Sequence, residues 1–262
     1  MQTEKVVIHI VDWLKNYADN AKVKGFVVGI SGGIDSATVA CLCAKTGYPT
    51  LCIELPIHQD SKQTNRAKEL IVFLQSQYKN VSTSEINLTA VFDSFVKVAP
   101  ISKNKDLENL SLANTRARLR MTSLYYLAGI NQYLVTGTGN KVEDFGVGFY
   151  TKYGDGGVDI SPIADLMKSE VYKLAIFMGV PQSIINAPPT DGLFGDGRTD
   201  EDQLGASYDE LEWAMKMVEI NENPENFSER EKIVFAIYKR LNTANQHKIN
   251  PIPICTIPIK WK

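Results

Sequence analysis

Between an apolar run and the start of a helical stretch lies Gly29-Ile30-Ser31-Gly32-Gly33-Ile34-Asp35-Ser36. Gly32 and Gly33 carry no Cβ, so the backbone can turn tightly there and approach a ligand closely. The exposed N–H groups of such a turn, with the N-terminus of the helix that follows, attract an anion. Ser31 and Ser36 add hydroxyl donors. Asp35 would repel a bound phosphate unless a cation stood between them, and Mg²⁺ held by a carboxylate and phosphate oxygens supplies one. The stretch lacks the Gly-Lys-Ser/Thr ending of kinase-like phosphate loops, and it is not the G-x-G-x-x-G dinucleotide fingerprint. The bland alternative is a glycine-rich turn capped by Asp35. So many matching positions in a strand-to-helix context weigh against it.

Other residues could join that chemistry. Arg116 and Arg120 are four apart on a predicted helix, so both can face one anion, although a solvated basic face has the same spacing. Thr138 follows a short apolar run, where open α/β sheets place ligands at strand carboxyl ends. Glu143 is a second carboxylate suited to share Mg²⁺ with Asp35, or simply an acid at a helix start. Lys168 opens a predicted helix against the preference of the dipole for anions, a cost that a binding role would explain. His9 and His58 have no partners in the sequence and read as structural. Trp13 and Trp261 read as packing residues.

Alternating short apolar runs and helical stretches must position these groups. The spacing predicts a helix over 4–18, with Val7, Ile10, Val11, Leu14, Tyr17 and Ala18 on one face. Gly25 to Ile30 reads as a buried parallel strand. Strands at 50–55, 83–88 and 133–136 alternate with helices at 35–45, 61–78, 89–97 and 108–130. That alternation predicts a Rossmann-like parallel sheet flanked by helices on both faces. The remainder reads as a helical C-terminal portion, with helices at 168–178, 202–218 and 229–244. The last begins with Ser228 and Glu231 at capping-box spacing, and Ile233, Val234, Ile237, Tyr238 and Leu241 mark its inner face. Loops are expected at 99–106 and 186–199, and Pro251, Pro253 and Pro258 keep the end extended.

Composition excludes several classes. The 262 residues carry 28 Lys+Arg against 30 Asp+Glu, a net charge of −2, which argues against a general nucleic-acid binder. With 44% hydrophobic residues the chain collapses rather than staying disordered. No stretch approaches the roughly 18 apolar residues that span a bilayer, and the start does not read as a signal peptide, so a cytoplasmic protein is expected. Cys41, Cys43, Cys52 and Cys255 form no C-x-x-C pair; Cys41 and Cys43 read as buried thiols.

The stretch from Ser31 to Ser36 resembles the pyrophosphate loop of ATP pyrophosphatases, which adenylate carboxyl or carbonyl oxygens. Asn114-Thr-Arg-Ala-Arg-Leu-Arg-Met121, Gly137-Thr-Gly-Asn-Lys-Val-Glu143 and Phe149-Tyr-Thr-Lys-Tyr-Gly-Asp-Gly-Gly-Val-Asp159 are similar to NAD synthetases. So are Asp191 to Tyr208 and the pair His247-Lys248, in the family's order over about residues 5–262. With no glutamine amidase portion, the chain resembles the short, ammonia-dependent form, one NAD synthetase domain over 1–262.

The resemblance implies a carbon–nitrogen ligase. It would amidate deamido-NAD (nicotinic acid adenine dinucleotide) with ammonia and ATP, giving NAD, AMP and pyrophosphate through an adenylated intermediate. It implies ATP at Gly29, Ile30, Ser31, Gly32, Gly33, Ile34, Asp35, Ser36, Thr138, Lys168 and Thr190. Deamido-NAD would meet Arg120, Lys152, Asp159, His247 and Lys248. Mg²⁺ would sit on Asp35 and Glu143, and Asp35, Glu143 and Lys168 would be the catalytic set. Thr151 lies eight positions after Glu143, one more than in the family pattern, which makes Asp144 an alternative ligand; the lead-in favours Glu143. A homodimer with the substrate site near its interface is implied, with no nucleic acid and no membrane. Loops 100–106 and 186–199 would close over ATP. Three other readings remain. A GMP-synthetase-like activity would require a purine site and usually an amidase partner. A tRNA thiolase would want a C-x-x-C pair, and a non-catalytic nucleotide sensor would not need both carboxylates.

Overall fold

The structure, a computed structural model, describes residues 1–190, 192–193 and 198–262. Helix α1 (Thr3–Ala21) leads into β1 (Gly25–Gly29), α2 (Ile34–Lys45), β2 (Thr50–Glu54), α3 (Ser61–Gln77) and β3 (Val81–Glu85). Then come α4 (Thr89–Val98), the long α5 (Lys105–Asn131) and β4 (Tyr133–Val135). The strands form one parallel sheet of order β3-β2-β1-β4. The chain therefore builds outward from β1 to β3, then returns across α4 and α5 to the opposite side of β1. That reversal opens a crevice beyond the carboxyl ends of β1 and β4, the place where open α/β sheets take their ligands.

Both sheet faces are covered, as the apolar run of the central strand β1 requires. Phe26 and Val28 face a cluster with Val7 and Leu14 of α1 and Leu42 of α2, while Val27 points the other way, with Ile53, toward Phe92 of α4 and Ala128 of α5. Alternation within one short strand thus anchors β1 in two cores, and the loop that follows it starts from a rigid base.

The remainder is helical. A π-helix (Val142–Val147) precedes α6 (Lys168–Phe177), α7 (Gln182–Ile185), α8 (Asp200–Leu204), α9 (Tyr208–Glu219), α10 (Glu229–Ala244) and α11 (Gln246–Ile249). Val171 and Leu174 of α6 and Ile184 of α7 join the sheet-side cluster of α1 and α2, while Val142, Val147, Leu204, Leu211, Val234 and Tyr238 form a second core that gathers the π-helix, α8, α9 and α10. Among the described residues no helix is long and apolar enough to cross a membrane.

Several expectations change. The third strand lies at 81–85 rather than 83–88: Val81 is the buried anchor, and Leu88 is buried after the strand has ended. The predicted helix 202–218 is two helices, because Gly205 takes φ +81° and Ser207 caps α9 in a capping box with Glu210. Helix α5 starts at Lys105, capped by Asn104, so the preceding loop is shorter than 99–106. On α10, Val234 and Tyr238 are buried as expected but Ile233 is exposed, and on α1 Tyr17 is exposed. Trp261 does not pack in this chain; it is 72% exposed, at the end of a segment exposed throughout from Asn250. Cys41, Cys43 and Cys52 are buried free thiols.

Candidate active site

The loop Ile30–Gly33 leaves β1 and enters α2 with Gly33 at the N-cap, so Asp35 lies in the first turn and is not the cap. Gly32 is the position that needs glycine: it takes φ +80°, and a Cβ there would stand 2.5 Å from the Gln63 carbonyl oxygen. Gly33 has an ordinary extended conformation. The two serine hydroxyls lock the turn. Their oxygens are 3.0 Å apart, the Gly33 amide donates to Ser31 Oγ, and Ser36 Oγ donates to the Gly33 carbonyl.

Asp35 projects toward the π-helix. Its Oδ1 accepts from Asn140 Nδ2 at 3.2 Å, and Asn140 Oδ1 in turn accepts from the Val142 and Glu143 amides. The fully buried Asn140 side chain therefore ties the two carboxylate-bearing segments together. Lys168 Nζ completes the link, 2.5 Å from Asp35 Oδ2 and 3.0 Å from Glu143 Oε1. This lysine is only 3% exposed. Burial alone would lower its pKa, but the Asp35 and Glu143 carboxylates outweigh that and raise it, so it is held charged. Burial and the Glu143 charge push Asp35 upward against the pull of Lys168. Burial, with Glu143, Asp155 and Asp35 nearby, pushes the Asp144 carboxyl up to about 8. Lys168 thus joins Asp35 to Glu143, and Asp144 takes no part in that contact.

One cavity of about 280 Å³ lies over this cluster. Of the residues expected at the nucleotide, Gly29, Ile30, Ser31, Gly33, Ile34, Asp35, Ser36, Thr138, Lys168 and Thr190 line it, together with Glu143; Gly32 does not. Arg120, expected at the dinucleotide, lines it too, with Nε donating to the Leu55 carbonyl and Nη2 to Gln59 Oε1. Arg116 does not line the cavity. It stacks 4.2 Å over the Phe92 ring and donates to the Leu193 carbonyl.

The remaining expected residues lie apart from that wall. Lys152 Nζ donates to the His247 carbonyl, and Lys248 Nζ donates to the carbonyls of Gly148 and Tyr150. These contacts bring Lys152, His247 and Lys248 into one group behind Tyr150, whose own side of the loop faces the cavity. Asp159 is exposed, with Oδ2 accepting from the Val135 amide and Oδ1 from the Tyr125 hydroxyl. Asp191 and residues 194–197, part of the expected mobile loop, lie outside the described residues.

Sequence reasoning missed four residues here. Asn140 lies inside a quoted motif without a role. Arg66 lines the cavity from α3 and donates to the Gly32 carbonyl at 3.0 Å. Asp200 lines it from the start of α8. Tyr208 donates to Glu143 Oε1 at 2.6 Å. Asp200 and Tyr208 lie within the stretch Asp191 to Tyr208 that carries part of the resemblance, again without a role; a lone arginine on an amphipathic helix carries no pattern that marks it, so only the fold could reveal Arg66.

The donor set suits Mg²⁺. Two carboxylates face one cation, beside a loop whose amides and hydroxyls favour phosphate, and hard oxygen ligands completed by substrate phosphates are what Mg²⁺ takes. Among the described residues no group of three or more His, Cys, Asp or Glu is placed to hold a metal by itself.

Comparison with known proteins identifies the family. The profile of the NAD synthase family matches residues 6–251. An NH(3)-dependent NAD(+) synthetase of Mesoplasma florum is 38% identical over 252 residues, covering 95% of this chain and 96% of that one. Among solved structures, an NMN synthetase from Francisella tularensis superposes with a TM-score of 0.84 at 30% identity, covering 99% of both chains. An NH3-dependent NAD synthetase from Campylobacter jejuni gives 0.79 at 26% identity, over 98% of this chain and 100% of that one. The chain therefore belongs to the NAD synthase family, ligases that form a carbon–nitrogen bond.

Proposed function

We propose that the chain, read as one unit over residues 1–262, amidates deamido-NAD with ammonia at the expense of ATP. The products would be NAD, AMP and pyrophosphate. The observation that carries this reading is the Ser31–Ser36 turn and the Asp35–Lys168–Glu143 cluster facing one cavity at the β1/β4 crevice.

The nicotinate carboxylate is a poor electrophile because its oxygen leaves badly. Attack by that oxygen on the ATP α-phosphorus forms an acyl-adenylate and expels pyrophosphate; ammonia then adds to the activated carbonyl and AMP departs. No protein nucleophile is required. The chain acts by holding two anionic nucleotides in line and by stabilising the charge that develops on pyrophosphate. Ser31, Ser36 and the amide-lined turn would hold the leaving group. Lys168 would supply positive charge, with Arg66 on the same wall. Asp35 and Glu143 would hold Mg²⁺, which, when bound, neutralises phosphate oxygens. Glu143 is favoured over Asp144 as ligand because it shares the Lys168 cation with Asp35. Arg120, Lys152, Asp159, His247 and Lys248 remain the residues proposed for deamido-NAD.

A homodimer in the cytoplasm completes the reading. Support for the dimer comes from apolar residues left exposed along α4 and the start of α5, among them Phe95, Val98, Leu107 and Leu110. Support for the compartment comes from free thiols and a substrate set of nucleotides.

Product analysis by mass spectrometry tests the reaction. Protein would be incubated with Mg-ATP, ammonium and deamido-NAD labelled with ¹⁸O in its carboxylate. One label should pass to AMP, as oxygen attack on phosphorus requires; NAD formed with unlabelled AMP would refute the adenylate. The likeness to the Francisella NMN synthetase makes nicotinic acid mononucleotide the second acceptor to offer in the same assay.

A further inference from the structure

Tyr208 opens α9, and its ring is packed in the helical core, with the residue only 5% exposed. The hydroxyl alone leaves that core. It lies 2.6 Å from Glu143 Oε1 and 3.2 Å from Asp200 Oδ2. A phenol has one proton, so between two carboxylates it donates to one at a time, and the shorter contact assigns it to Glu143. Lys168 Nζ reaches the same oxygen at 3.0 Å and sits 4.6 Å over the Tyr208 ring. Glu143 Oε1 is thus held from α6 and α9 together, while Oε2 makes no hydrogen bond among the described residues.

We propose that Tyr208 is a positioning residue for the metal-holding carboxylate. Its hydroxyl, held in place by a ring buried in the helical core, fastens Oε1 and leaves Oε2 as the oxygen for the divalent cation. A glutamate has several rotamers, and a flexible turn could not select one. Two donors on one oxygen, each anchored in a separate helix, do so before the cation arrives, so little ordering remains to be done on binding. The proposal rests on the reading that Glu143 and Asp35 hold the metal.

The test is Tyr208→Phe, which keeps the ring and removes one oxygen. Mn²⁺ binding would be followed by electron paramagnetic resonance with saturating α,β-methylene-ATP and no acceptor. Losing a hydrogen bond to a charged group should weaken Mn²⁺ about tenfold. The Mg²⁺ concentration for half-maximal turnover should rise by a similar factor, with kcat recovering at saturating Mg²⁺. Tyr238→Phe, at a buried tyrosine of the same core whose hydroxyl makes no hydrogen bond to a carboxylate among the described residues, should bind Mn²⁺ as the unaltered protein does. Asp35→Asn should lose the bound Mn²⁺ signal. If Asp35→Asn loses it and Tyr208→Phe stays within twofold of the unaltered protein, the role given to Tyr208 is wrong. Equal weakening in Tyr238→Phe would mean a general packing effect and would also overturn it. Unchanged binding in Asp35→Asn would remove the metal reading, and this proposal with it.

Discussion

Lys168→Met removes one charge and little volume from the centre of the site. In the folded chain that ammonium is 3% exposed and meets two carboxylates whose side chains are 18% and 15% exposed. Deleting one partner of a buried pair costs about 3–5 kcal/mol, because the other charge is left uncompensated. Here Asp35 keeps its bond from Asn140 and Glu143 keeps its bond from Tyr208, which moves the expectation to the lower end, about 3 kcal/mol. For a chain of this size that is a fall in Tm of roughly 6–12 °C. Urea unfolding and thermal melts without nucleotide would measure it. Acidification adds a sign test. Burial already holds the Asp35 carboxyl above its ordinary range while Lys168 pulls it down; without that pull it rises further, so the folded state of the variant gains relative stability as pH falls. The deficit should therefore shrink as the solution is acidified from neutrality. A deficit below about 1 kcal/mol, or one that widens with acid, would show that the cluster is not a buried, mutually dependent unit.

Asp144 gives a second pH test, since its pKa of about 8 is raised from 3.8, mainly by burial. A raised carboxyl pKa contributes stability that is complete below the unfolded value and lost as pH rises through the folded one. Asp144→Asn should therefore flatten the fall in Tm over that window, and a parallel profile would disprove the shift. Gly32→Ala forces a side chain into φ +80° and against the Gln63 carbonyl. It should cost about 2 kcal/mol and weaken binding of an ATP analogue measured by calorimetry, whereas normal binding would mean that the turn can relax. Ser207→Ala removes the α9 cap and should lower stability by about 1 kcal/mol in denaturant titration. Asp35→Ala should reduce turnover by at least 10²–10³ with the fold intact by circular dichroism; near-normal NAD formation would sink its metal role.

What was legible in the sequence depended on whether a signal was local. The β1–loop–α2 unit was readable because an apolar run, a glycine turn and a helix start sit side by side in a few residues. The break between α8 and α9 was equally local, since Gly205 and the Ser207/Glu210 capping box are both visible, but the polar and apolar spacing on either side imitates one continuous helix. β3 slid by two residues because its own side chains, Ser82, Thr83 and Ser84, are polar, and the stronger apolar signal at Ile86 and Leu88 belongs to the connection beyond it. Ile233 shows the limit of periodicity: the helical pattern marks a stripe, but the width of the neighbouring helix decides how much of it is covered. The pairing of Lys168 with Asp35 was beyond reach, because 133 positions separate them and only the packing of α2 against α6 brings them together.

The π-helix at Val142–Val147 bears on how such a chain tolerates length change. A wider turn takes up one more residue than an α-turn over the same rise, and such turns are frequent at functional sites. Gly148 at φ +63° closes this one, and the Phe149 amide returns to the Glu143 carbonyl at 2.9 Å. Thr151 follows Glu143 by eight positions, and the added girth lets a longer segment begin and end where a shorter one would. An insertion here can be stored as circumference instead of displacement. The bearing of the carboxylate relative to the loop that starts at Phe149 is then set by winding.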